Sequence, residues 1–127
     1  MTSKYRARQC TLGERRFASQ GEMNCFLHLR DLERRGLIGL LVTQVKVVLV
    51  PGVSTIVDFA FLDLATGVYQ HAEFKGFETP AWRIKKKLWR LFGPTPLLMF
   101  TAKSIKPVEV IPPGYATFVL CKPGLPF

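Results

Sequence analysis

Residues 56–77 read IVDFAFLDLATGVYQHAEFKGF. Two runs rich in β-branched and aromatic residues flank Leu64-Ala65-Thr66-Gly67, so the stretch predicts a β-hairpin. In its first strand Asp58 stands among Ile56, Val57, Phe59, Ala60 and Phe61. Neighbours apolar on both faces mark a central strand, where an unpartnered carboxylate is costly to bury. The second strand carries Glu73 and Lys75. If Asp63 closes a four-residue loop opposite Val68, Asp58 falls opposite Glu73 and Ile56 opposite Lys75. Opposed side chains share a face, with Cβ atoms roughly 5 Å apart. A three-residue loop with a glycine bulge at Gly67 slips the pairing by one and sends Asp58 and Glu73 to opposite faces.

The first register gathers Asp58, Glu73 and Lys75. One reading is a surface ion pair beside a solvated Asp58. The other is a site for Mg²⁺, which is held by one or two carboxylates plus water and phosphate oxygens, with Mn²⁺ as a substitute. The apolar flanks of Asp58 favour the second. Metal-assisted phosphodiester cleavage then gives Lys75 a role, orienting the attacking water or stabilising charge that grows on the phosphate.

Upstream, ASQGEMNCFLHLRDLERRG (18–36) carries a helix signature. Ser19 and Glu22 form a capping box, and Gly36 is a C-terminal stop. Cys25, Phe26, Leu29 and Leu32 make one apolar stripe. Glu22 lies on that stripe as well as in the cap, so it closes the capping box, faces the sheet and the metal, or does both. LLVTQVKVVLV (40–50) predicts a strand ended by Pro51-Gly52, with Lys46 as an edge cation.

Downstream, TPAWRIKKKLWRLFG (79–93) predicts a helix with Thr79 as N-cap, Pro80 at its first position and Gly93 as its stop. Ala81, Ile84, Leu88 and Leu91 are its expected inward stripe, and Trp82 and Trp89 share a face suited to core packing. Arg83, Lys85, Lys86, Lys87 and Arg90 form its basic surface. They are either a solvated face or, so close to the carboxylates, contacts to a DNA backbone. A further strand (TPLLMFTAK, 95–103) and a tail broken at Pro112-Pro113-Gly114 complete the chain.

The 127 residues divide into a basic, irregular arm (1–18), a core (19–103) and a C-terminal extension of the same domain (104–127). Eighteen Lys and Arg against nine Asp and Glu leave a net charge of +9, which attracts polyanions. No run of apolar residues is long enough for a membrane span. The basic N-terminus has no apolar segment behind it, so no secretory signal is expected. Cys10, Cys25 and Cys121 are too scattered for a disulfide framework, which suggests a reducing cytoplasm. Cys25-x-x-His28 is half of a zinc spacing with no second half.

VDFAFLDLATGVYQHAEFKGFETPAWRIKKKLWRLFG (57–93) resembles the PD-(D/E)xK nuclease superfamily, in particular its small phage-encoded members. The resemblance implies an α/β, restriction-endonuclease-like αβββαβ core, with a mixed sheet flanked by two helices and a short C-terminal β extension. It implies that Asp58 and Glu73 are metal ligands, together with the Phe74 backbone carbonyl and Glu22, and that Lys75 is the catalytic lysine. Gln44 matches a glutamine that supports the active site. Val57 stands where the name-giving proline would be, and AEFKG replaces the commoner EDVKG; neither change removes a ligand. The implied protein is a Mg²⁺-dependent DNA endonuclease, by analogy a homodimer that acts on branched or Holliday-junction DNA in phage replication or recombination, in the bacterial host cytoplasm. The alternatives are a non-catalytic nucleic-acid-binding module with a degenerate site and an interaction protein that docks an acidic partner.

Overall fold

The computed structural model describes residues 10–13, 15–102 and 104–114, without the side chains of 104 and 105. Its elements are β1 (Cys10–Leu12), β2 (Arg15–Phe17), α1 (Gln20–Arg34), β3 (Ile38–Val50), β4 (Val53–Asp63), β5 (Val68–Phe74), α2 (Pro80–Phe92), β6 (Leu97–Thr101) and β7 (Ser104–Ile111). The chain is α/β. Strands β3 to β7 form one sheet in chain order, antiparallel except for the β5–β6 pair, which the α2 crossover makes parallel. The β7 strand of the C-terminal extension therefore completes the sheet, whereas residues 115–127 lie outside the described residues.

The irregular arm expected over residues 1–18 is corrected for its described part. Cys10–Leu12 and Arg15–Phe17 pair as a small hairpin. Phe17 is buried against Phe26, with ring centroids 5.2 Å apart, so an aromatic side chain ties this segment to the core. Residues 1–9 lie outside the described residues.

Two apolar clusters hold the layers together. On one face of the sheet Cys25, Phe26 and Leu29 of α1 pack on Phe59, Phe61, Ala72 and Phe100. On the other, Trp82 and Trp89 of α2 pack on Val47, Leu49, Val57, Leu97, Met99 and Ile111. Both helices begin as their caps dictate. Ser19 Oγ accepts from the Glu22 amide at 3.1 Å, and Thr79 Oγ1 accepts from the Trp82 amide at 3.1 Å. The α1 end is a Schellman motif, with Gly36 N donating to Glu33 O and Leu37 N to Leu32 O.

The inward face of α2 differs in part from expectation. Ile84 and Leu91 are 60% and 57% exposed, and Ala81 also faces out. Trp82 and Trp89 pack in the core, as their shared face suggests, joined by Leu88 of the expected stripe and by the partly buried Lys85 and Lys86 between them. Positions 82, 85, 86 and 89 follow helical spacing, and lysine stems can line such a stripe while their ammonium groups reach polar partners.

Candidate active site

The four-residue loop sets the register. Gly67, at φ +74°, donates to Asp63 O at 2.8 Å, and Asp63 Oδ1 accepts from the Ala65 amide at 2.9 Å. From there the β4–β5 ladder runs from Asp63 opposite Val68 to Phe59 opposite Ala72. The next rung, Asp58 and Glu73, is made by side chains. Glu73 Oε2 accepts from the Asp58 amide at 3.2 Å, and Asp58 Oδ2 accepts from the Phe74 amide at 2.8 Å. Beyond it the strands part. β4 continues against β3 alone, through Val57 opposite Val45, while β5 continues against β6, through Phe74 opposite Phe100. The two carboxylates thus satisfy amides that the diverging strands leave without carbonyl partners.

Cluster membership shows why the strand turns away here. Phe59 and Phe61 pack with α1, but Val57, of the same parity, packs with α2. The change of face falls at Asp58. On β3 the flanking pairs, Thr43 with Phe59 and Val45 with Val57, place Gln44 opposite, and Gln44 has φ +55°. A non-glycine residue in that region is strained. Its side chain reaches Asp58, Nε2 lying 3.4 Å from Oδ1.

Helix α1 supplies the third carboxylate. Gly21 lies so close to Phe74 that an added Cβ would stand 2.2 Å from the ring, so glycine lets the first turn of α1 settle on β5. Glu22 is carried inward with it. Its Oε2 accepts from the Ala18 amide at 3.0 Å, and its carboxyl lies close enough to that of Asp58 for each to shift the other's pKa. Ser19 makes its half of the expected capping box, but Glu22 accepts from the Ala18 amide and not from that of Ser19, and its side chain is buried beside the sheet. Lys75 donates to Glu73 Oε1 at 3.3 Å and stands 4.6 Å from the centre of the Trp82 ring.

Glu22, Asp58 and Glu73 are 6%, 8% and 5% exposed. Burial pushes Glu22 up to about 7, helped by its contact with Asp58 and the Asp58 charge. Burial likewise raises Asp58 and Glu73, while Lys75 pulls both down. Cys25 beside them is pushed up to about 12, first by burial and then by the same carboxylates, which leaves it a thiol. Three buried carboxyls with one lysine among them readily take up a proton or a cation.

The remaining sequence-identified residues separate. Lys86 lies between Glu78 and Glu109, at 2.8 and 2.9 Å, Arg83 meets Glu78, and Arg90 meets Glu109. Lys85 and Lys87 make no ion pair among the described residues. Lys85 borders a cavity of about 150 Å³ beside Glu73 and Lys75. The sequence reading missed this cavity and the place of Trp82 beneath Lys75. His71 is buried, with Nδ1 2.6 Å from Thr95 Oγ1, apart from the carboxylates. Among the described residues no three Asp, Glu, His or Cys side chains form a ready-made cation cage, and no helix is long and apolar enough to cross a membrane. Comparison with known proteins adds no identity: no family model, curated protein or solved structure matches the chain.

Proposed function

We propose that the protein is a divalent-cation-dependent DNA endonuclease of the PD-(D/E)xK type. The observation that carries this reading is the gathering of Glu22, Asp58, Glu73 and Lys75 at the point where two central strands diverge. The order α1, β3, β4, β5, α2, β6 within a mixed sheet agrees with the αβββαβ core that the resemblance implies.

The donor set fits Mg²⁺ or Mn²⁺. It is all carboxylate oxygen, with the Phe74 carbonyl as a backbone candidate, and burial favours a proton on Glu22 that a cation would displace. When bound, such a cation supplies Lewis acidity and a water of lowered pKa. Asp58 and Glu73 would hold it, with Glu22 supporting. The chain's own residues do the rest. Lys75 places an ammonium group beside Glu73, where it can orient a water or meet negative charge on a phosphate. Trp82 fixes that ammonium from below, and Gln44 orients Asp58. One site per small chain makes a homodimer the expected form for cutting both strands, and junction or flap DNA the expected substrate.

One observation favours the second reading, a binding module without catalysis. Asp58 and Glu73 already serve the fold by accepting from the Phe74 and Asp58 amides. Cleavage of labelled four-way junction, flap and linear duplex DNA with Mg²⁺, Mn²⁺ or EDTA separates the two. Metal-dependent cutting, reduced about 100-fold or more in Lys75→Ala, is the expected result. Binding without cutting under every metal would leave the module.

A further inference from the structure

The cavity beside the carboxylates is lined by Thr55, Glu73, Lys75, Thr79, Trp82 and Lys85 among others. Its volume of about 150 Å³ leaves room for a phosphate group with water around it. Its cations are unevenly matched. Lys75 has Glu73 as its counter-charge. Lys86, one residue beyond Lys85 on α2 and also partly buried, is met by two carboxylates. Lys85 is half-buried at the cavity and has no carboxylate among the described residues.

A neutral lining group can also donate. Thr79 Oγ1 accepts from the Trp82 amide, which leaves its own O–H to donate. Trp82 forms part of the wall, but its indole nitrogen is buried out of reach of solvent and does not donate into the cavity. Glu73 is the one carboxylate on the lining, and both its oxygens are engaged, by Lys75 and by the Asp58 amide. The surplus is one positive charge with the Thr79 hydroxyl beside it, which is chemistry for an anion.

We propose that this cavity seats one phosphate of a nucleic-acid strand, next to the phosphate presented to Asp58, Glu73 and Lys75, with Lys85 as its positioning residue. The proposal deepens the nuclease reading, since it gives the strand a second fixed point, but it concerns binding and can be measured without metal. The probe is a fluorescein-labelled single-stranded 12-mer titrated with the native protein in EDTA and followed by anisotropy. Tryptophan emission is read in the same samples, and inorganic phosphate is titrated in parallel.

The expected result is that the 12-mer shifts tryptophan emission saturably, that Lys85→Gln weakens its binding at least fivefold, and that Lys85→Arg restores it to within twofold. A Lys85→Gln variant that binds like the native protein, or emission unmoved at saturation, would overturn the proposal. Inorganic phosphate that binds as tightly as the 12-mer would overturn the strand assignment in favour of a free-anion pocket. Failure of the nuclease reading shows separately, as absence of cleavage with metal, and leaves the EDTA result standing.

Discussion

Asp58 has two duties that pull in opposite directions. Its carboxylate accepts from the Phe74 amide and the Gln44 side chain, which holds the diverging strands. Burial, and then the Glu73 charge, raise the cost of its own charge, while its contact with Glu22 and the Lys75 charge lower it. Asparagine keeps one oxygen for the Phe74 amide, adds donors, and removes one charge from the cluster. Asp58→Asn is therefore expected to unfold in urea with a stability equal to that of the native protein or about 1 kcal/mol higher, while metal-dependent cleavage disappears. A loss above about 2 kcal/mol would mean that the charge itself is structural. Glu22 gives a pH test. It faces Asp58, Lys75 and Cys25, and its folded value of about 7 lies above the ordinary 4.5. The folded state thus holds a proton that the unfolded state releases. The contribution is fully present below pH 4.5 and is lost as pH rises to about 7, roughly 3 kcal/mol at most before solvent screening reduces it. Thermal melts between these limits should fall with pH, and Glu22→Gln should flatten the slope.

At the scale of elements, strain and the site meet in β3. Gln44 holds φ +55° opposite Asp58, and Leu40 holds φ +54° beside the bulge between Gly39 and Val42. Glycine adopts that backbone without penalty. Gln44→Gly is expected to gain about 1 kcal/mol from relieved strain, with partial offset from the freer unfolded chain. It should also lower cleavage several-fold, because Asp58 loses its orienting amide. Denaturation and rate measurements on one preparation would show whether the two effects oppose each other. The elements themselves were largely legible. Ser19, Gly36, Thr79 and Gly93 mark helix ends by local chemistry, and the Asp63 and Gly67 turn chemistry decides the hairpin register. The burial of α2 was legible in Trp82 and Trp89, whose shared face suits the core, but not in the lysines between them. The alternative stripe Ala81, Ile84, Leu88 and Leu91 reads as more apolar than Trp82, Lys85, Lys86 and Trp89. Only the acids Glu78 and Glu109, the latter distant in sequence, explain a lysine turned inward. The site followed the same division. Glu22, Asp58, Glu73 and Lys75 stand out as charges on apolar elements, whereas the Trp82 contact, the Gln44 backbone and the cavity arise from packing between elements far apart in the chain.

For the whole molecule the net charge of +9 does not translate into nine phosphate contacts, because part of it is held internally. Lys86 is 13% exposed and bridges Glu78 on one side of α2 to Glu109 on β7, so it fastens the helix to the sheet edge. Lys87, the next residue, is exposed and makes no ion pair among the described residues. Adjacent lysines of one basic run should therefore behave differently. Lys87→Ala is expected to leave urea stability within about 0.5 kcal/mol and to lower the slope of log affinity against log salt by about one. Lys86→Ala is expected to cost about 1–2 kcal/mol, since two half-exposed carboxylates lose their shared cation, and to leave the salt slope nearly unchanged. Binding isotherms on a fixed duplex at several salt concentrations, paired with urea melts of both variants, decide the matter. If Lys86→Ala flattened the salt dependence as much as Lys87→Ala, the basic run would act as one uniform patch, and the division between fastening and DNA-facing charges would fail.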